Sequence, residues 1–339
     1  MAEARSPRRK PASPVTINEV AHAAGVSTAT VSRVLTRSGT VSASLSARVT
    51  AVVAELGYTP NVAARSLSLG HLGNVGILMP SMTNPYFYDV VEQVGIGASA
   101  AGFRLLLADT GGDPHREEQA VADLRPQVDG LILLSSRISN AGLRRLGDKG
   151  EPIVLVNRLE SGVGLPAIAV DNFTPTLDLC GHLLELGHTE VAYLSGPSLS
   201  WQDRERWRAV ETARRLGLAA TRIEGDGSLE TAADAVEDLL ATGASAIVCF
   251  NDLSAVSVMT RLGDLGVRVP DDISVTGFDD IPLTRHVRPA LTTVRSPTSV
   301  VGSGAWKLLQ ARLHSPETPE PVIVTADLVI RDSTSTPGR

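Results

Sequence analysis

The sequence predicts a small all-α head built on a helix-turn-helix, followed by a large α/β body of two Rossmann-like halves. Three observations carry this. Residues 16–35, TINEVAHAAGVSTATVSRVL, read as two short helices around a glycine. From Asn74 onward the pattern changes to short apolar runs alternating with helical stretches. Charge divides the same way: the 339 residues carry −6 overall, yet residues 1–70 hold eight Lys/Arg against three acids, +5, leaving −11 on the remainder. A small basic domain on an acidic body is the distribution of a DNA reader attached to a sensor.

The head is legible residue by residue. Residues 1–14, MAEARSPRRKPASP, are Pro/Ser/Arg-rich and are expected to be a disordered basic tail. Arg8, Arg9 and Lys10 either brush phosphates or only solubilise the chain. Thr16 with Glu19 three residues on is a capping box before an apolar periodic run. Ile17, Val20, Ala21 and Ala24 then share a helical face, and Gly25 can take the positive φ that ends the helix. Ser27 caps the second helix, which runs to Leu35. Val31, Val34 and Leu35 fall on one side of it; Thr28, Ala29, Ser32 and Arg33 fall on the other. A short polar face ending in a guanidinium suits a major groove, with Arg33 against guanine O6 and N7. Thr16, Ser27, Thr28, Ala29, Ser32 and Arg33 are therefore the candidate DNA-binding residues of the head. Leu45, Val49, Val52, Val53 and Leu56 make a third helix, with Ser42 or Ser44 as cap and Gly57 as stop.

The body follows in order. NVGILMP is a buried strand, and Asn84-Pro85 opens a helix to about residue 101. FRLLLAD, VDGLILL, EPIVLVN and IAVDN are further strands, with helices over 114–124 and 141–149 between them. After a helix over 173–186 come the strands TEVAYLSG, LAATRIEGD, ASAIVCFND, DISVTGFDD and LTTVRSP. They are separated by helices through 208, near 231–240 and near 254–265. Alternation of strand and helix, with strands apolar on both faces, means doubly wound parallel sheets. In such folds ligands bind beyond the carboxyl ends of the strands. Polar residues gather there: Asn84, Tyr86 and Phe87 after the first strand, Asp109 and Asp113 after the second, and Ser135, Ser136 and Arg137 after the third. Asn157 and Arg158 follow the fourth; Asn251 and Asp252, and Asp279 and Asp280, end two later ones. Asp252 and Asp280 read as helix caps. The rest suit a sugar-sized polar ligand in a cleft between lobes.

Composition narrows the field. Hydrophobic residues are 43% and charged residues 20%, as in a globular protein with a sizeable core. No apolar run reaches the roughly 18 residues of a membrane span. The N-terminus lacks the apolar region of a secretory signal, so a cytoplasmic protein is expected. Cys180 and Cys249 stand alone in apolar stretches, as reduced core residues do. GIGASA at 95–100 imitates a dinucleotide fingerprint but lies late in a helix with no strand running into it. There is no GxxxxGK[ST], HExxH or GxSxG, and the seven histidines are scattered. No enzyme activity, cofactor or metal is expected.

EVAHAAGVSTATVSRVL, AELGYTPNVAARSL, VPDDISVTGFDDIP and PALTTVRSP resemble the LacI/GalR family of bacterial transcription regulators, over residues 15 to about 333. The resemblance implies a head over 15–60, a hinge helix and linker over 61–72, and a periplasmic-binding-protein-like body over 73–333 for effector binding and dimerisation. Within the body it implies an N-subdomain of 73–172 plus 296–318 and a C-subdomain of 173–295 plus 319–333, the final strand near 322–330 crossing to the second. Asn61, Ala64 and Leu67 would then contact DNA through the hinge, Leu67 as a wedge in the minor groove. Arg206, Asn251 and Asp279 would hold the effector, with Tyr86 and Phe87 at the cleft mouth. The chain departs from the family at Gly227, where an aromatic often stacks on a ring, and at Ala209 and Val210. Trp201 or Trp207 is then the candidate substitute. The expected function is a homodimeric repressor on a pseudo-palindromic operator, controlled by a sugar or sugar derivative. The ending RDSTSTPGR, without apolar heptads, argues against a zipped tetramer. The alternative is an exported solute-binding protein, which shares the two-lobed body.

Overall fold

The computed structural model describes residues 15–36, 41–58 and 71–338. The expected tail and the hinge residues Asn61, Ala64 and Leu67 lie outside the described residues. The chain divides between Leu72 and Gly73 into two units, each with its own core.

The head unit contains α1 (Ile17–Ala24), α2 (Thr28–Thr36) and α3 (Ala43–Leu56). Both halves of the Thr16/Glu19 capping box form, and Gly25 closes α1 at φ 61°. Ser42, not Ser44, caps α3 by accepting from the Leu45 N–H, and Gly57 ends it. Val20, Ala21, Ala24, Val31 and Val49 are buried together, with Leu35, Val52 and Leu56 packed around them.

The body unit is two parallel sheets. The larger has the order β11-β5-β4-β3-β1-β2. Its strands are β1 (Asn74–Met79), β2 (Arg104–Asp109), β3 (Gly130–Leu134), β4 (Ile153–Val156), β5 (Ala167–Val170) and β11 (Val322–Val324). The helices α4 (Pro85–Ala100), α5 (Pro114–Leu124), α6 (Asn140–Asp148) and α12 (Thr298–His314) accompany it. The smaller sheet runs β7-β6-β8-β9, from β6 (Glu190–Leu194), β7 (Ala219–Ile223), β8 (Ala246–Cys249) and β9 (Ser274–Thr276). Its helices are α7 (Thr174–Glu185), α8 (Trp201–Ala213), α9 (Leu229–Asp234), α10 (Val236–Ala241) and α11 (Asp252–Asp264). A short antiparallel pair joins β10 (Thr293–Arg295) to β12 (Asp327–Val329). Each large sheet starts in its middle and winds outward both ways, so each has a switch point, at β1/β3 and at β6/β8, where loops diverge and leave a crevice.

Two expectations are corrected. The segment 322–330 is not one strand in the second lobe. Val322–Val324 extends the first sheet parallel to β5, Val324 packs on the first core, and the chain crosses only afterwards. Thr325 and Ala326 break the apolar run into two three-residue strands that serve different sheets. The helix expected near 231–240 is likewise two short helices meeting at Ala235. The GIGASA stretch lies inside α4, and Gly97 is there for packing: a Cβ would run into the Trp306 ring of α12.

Candidate functional site

In the head, Val31 holds the inner face of α2 in the core, while Thr28, Ala29 and Arg33 are exposed and Ser32 is half-buried. The hydroxyls of Thr16 and Ser27 are committed to caps: Thr16 accepts from the Glu19 N–H and Ser27 from the Thr30 N–H. The hydrogen bonds from Thr16 hold the Glu19 carboxyl below its ordinary range.

In the body, a cavity of about 660 Å³ opens at the carboxyl ends of the strands, between the two lobes. It brings together Tyr86, Phe87, Arg206, Asn251 and Asp279, together with Arg137, Gln202 and Phe250. The backbone there is unusual. The non-glycine residues at positive φ among the described ones are Ser135 (52°), Asn157 (56°), Asp279 (117°) and Asp280 (55°), each following a strand that ends at the crevice. Left-handed backbone costs a side-chain-bearing residue roughly 1–2 kcal/mol, and such strain gathers where side chains must be aimed.

Arg206 is the best-fixed group. Its Nε donates to Asn172 Oδ1 at 2.8 Å and its Nη1 to the Phe250 carbonyl. The guanidinium lies between the Phe278 ring, 3.5 Å from the centroid, and the Phe250 ring, at 4.7 Å. Its Nη2 sits 3.8 Å from Asp279 Oδ1, longer than a hydrogen bond, so a ligand hydroxyl can bridge the pair. Burial pushes the Asp279 carboxyl up, to about 8, against the pull of Arg206; Asp252 adds to the rise.

Asn251 has a second task. It caps α11, its Oδ1 accepting from the Ser254 N–H at 2.8 Å, and its Nδ2 donates to the Gly227 carbonyl. The cap expected of Asp252 is thus Asn251's. Asp252 is fully buried and accepts from Thr293 Oγ1 and the Ile281 N–H, tying β8 to the following loops. Asp280 is not a cap either: Arg285, Arg295 and Arg331 all pair with it and hold its carboxyl down at about 2, against the opposing pull of burial. Tyr86 and Phe87 are buried at the start of α4 in an edge-to-face pair, and the Tyr86 hydroxyl accepts from Asn157 Nδ2. Neither Trp201 nor Trp207 lines the cavity; Trp207 packs on Tyr193. The space beside Gly227 is filled by Phe250, whose ring a Cβ at Gly227 would meet at 3.0 Å.

Sequence reading missed two participants and counted a third only within the group of strand-end polar residues suited to a cleft ligand. Asn172 orients Arg206; Gln202 donates across the lobes to Ser135 Oγ at 2.8 Å; and Arg137, noted only as a strand-end residue, enters the cavity wall. The signal for Asn172 was its place at the end of IAVDN, whereas the pairing of Gln202 with Ser135 depends on lobe packing. No group of three or more potential metal ligands occurs among the described residues, and no helix among them is long and apolar enough to cross a membrane.

Residues 16–61 match the model of bacterial regulatory proteins of the lacI family, and residues 180–334 match a periplasmic binding protein-like domain. The chain is 32% identical to the transcriptional repressor PurR of Photobacterium profundum, over 94% of this chain and 98% of the relative. It is 32% identical to the regulator GalR of Salmonella typhimurium, over 95% and 96%. Among solved structures it is similar to a lac repressor dimer bound to operator and an anti-inducer (TM-score 0.84, 27% identity, 95% of this chain and 99% of that one). A CelR–cellobiose complex is also similar (TM-score 0.70, 28% identity, 94% and 99%).

Proposed function

Since the chain belongs to the lacI family of bacterial regulatory proteins, we propose that it is a transcriptional repressor that releases its operator when a small polar effector fills the cavity. The single observation that carries the DNA half is α2, whose core-facing side is sealed by Val31 while Thr28, Ala29 and Arg33 face outward. One such helix reads few base pairs, so the protein acts as a homodimer on a pseudo-palindromic site. Leu67, with Asn61 and Ala64, engages the minor groove of that site. The relatives named PurR, CytR and GalR are transcriptional regulators, and this chain is a cytoplasmic regulator without catalytic activity.

The effector is a sugar or sugar derivative held by Arg206, Asn251 and Asp279, with Tyr86 and Phe87 as apolar wall. A ligand biases a protein only by binding its two shapes unequally. A cavity formed by both lobes meets that condition, because its walls converge only when the lobes close. The N-terminal lobe follows the hinge segment directly in sequence, so closure is transmitted to the two hinges of the dimer.

Selection of duplex DNA from a random library by the full chain tests this reading. The expected product is a two-fold symmetric site bound with steep salt dependence. Recovery of no enriched sequence, with elution from DNA at low salt, would favour an exported solute-binding protein instead.

A further inference from the structure

Among the described residues that line the cavity, Arg137 is the one with buried side-chain donors left unpartnered. The residue is 5% exposed and lines the cavity from the first lobe, on the loop after β3. Nε and Nη1 are buried with no hydrogen-bond partner. No ion pair joins the guanidinium to a carboxylate among the described residues. Glu117 and Asp203 lie close enough to favour the charge, but Glu117 accepts the Arg137 backbone N–H at 2.7 Å rather than the guanidinium, and Asp203 accepts from Tyr193, the Gly196 N–H and Arg222. Arg158 adds like charge nearby; its Nη1 donates to Ser136 O and Ile138 O and its Nη2 to Asn140, while its Nε, which does not line the cavity, is also unpartnered. Burial lowers the Arg137 pKa to about 10, which leaves it charged at neutral pH.

A buried cation with unmet donors costs stability, and native proteins keep one where an ion or ligand completes it. Arg206 presents the contrast on the opposite lobe, with donors met by Asn172 and Phe250 and faces covered by two rings. A neutral hydroxyl would meet one donor of Arg137 and leave the other unpaired, with no direct ion pair to the guanidinium. An oxyanion offers several acceptors and the countercharge together. Resting on the reading of this cavity as the effector site, we propose that the effector is a polyol bearing an oxyanion, a sugar acid or a sugar phosphate, with its anionic group on Arg137 and its hydroxyls on Arg206 and Asp279. The ligand then spans the lobes, anion on the first and hydroxyls on the second. It lies beside the Gln202–Ser135 bond that already links them.

The test is a thermal-shift and calorimetric comparison on the full chain, using matched sets: glucose, gluconate and glucose 6-phosphate; galactose, galacturonate and galactose 1-phosphate; ribose, ribonate and ribose 5-phosphate. An acidic member should raise the melting temperature where its neutral parent at equal concentration does not. Whether the carboxylate or the phosphate member binds identifies the source of the oxyanion. Arg137→Gln should weaken that ligand by roughly 30-fold or more, as removal of one partner of a buried charge pair does. Arg137→Lys keeps the charge facing Glu117 and loses the fork; it should also weaken binding, and it carries the test should the Gln variant not fold. Neutral parents binding as tightly as acids, no acidic member binding, or unchanged affinity in both variants would overturn the proposal. Asp279→Ala separates the two levels. Binding lost in Asp279→Ala but kept in Arg137→Gln removes only the role of Arg137, whereas binding kept in both shows that the cavity is not the effector site.

Discussion

Asp279 joins near-complete burial, a φ of 117° and a cation 3.8 Å away. Its carboxyl is raised from an ordinary 3.8 to about 8, so between these values the folded protein holds a proton that the unfolded chain has lost. The stability carried by the neutral carboxyl is therefore full below about 3.8 and is lost as pH rises through about 8. Asp279→Asn should accordingly flatten the fall in melting temperature across pH 5–8.5 and stabilise the protein most at the alkaline end. A variant whose pH profile overlays the parent's would show that Asp279 is ionised throughout. That Asn251 and Asp279 line the cavity was legible in sequence because strand-end polar residues have one place to go in a doubly wound fold, whereas Arg206, inside α8, was placed there only by the family resemblance. The roles of Asp252 and Asp280 were not legible. The pairs Asn251-Asp252 and Asp279-Asp280 each offer two short polar side chains for one turn, and backbone angles together with distant arginines decide which does what.

At the scale of the element, the proposed reading of base edges by α2 rests on Arg33. Arg33→Ala should cost roughly 1–3 kcal/mol of operator affinity and relax specificity at one position per half-site. Because the exposed Arg33 contributes nothing to the head core, its melting should be unchanged. Competition binding on the selected site and on single-base variants reads both effects; a loss uniform across all sequences would make Arg33 a phosphate contact. The head helices could be read to within a residue or two because their caps are local: Thr16 with Glu19, Ser27 and Ser42 each bond within three residues. Later elements were blurred where no such stop exists. α8 runs to Ala213, past the expected 208, because Ala209, Val210 and Ala213 are buried. The division at Ala235 has no glycine or proline to announce it.

For the whole molecule, an effector that releases the operator, as proposed, must itself be weakened by operator DNA by the same factor. Operator titrations with and without saturating effector, set beside effector titrations with and without operator, should give equal ratios. Ratios of one in both titrations would mean that the ligand does not act on DNA binding. The two parallel sheets followed from the alternation of strands and helices, whereas the antiparallel pairing of β10 with β12 did not. The assignment of Val322–Val324 to the first sheet did not, because Val322 and Ile323 are exposed edge residues with no pattern to declare a partner.

That late assignment bears on how the molecule breaks. The polypeptide passes between the lobes after Asp171, again near Ser296, and a third time after Val324. Neither lobe is thus a contiguous stretch of gene. A protease nick in any one passage leaves two others holding the lobes as one particle. A stop codon placed after Val170 removes α12 and β11, which cover and extend the first sheet, and strips that lobe of part of its own core. Complementing fragments, rather than a truncated lobe, are the form in which this body can be divided.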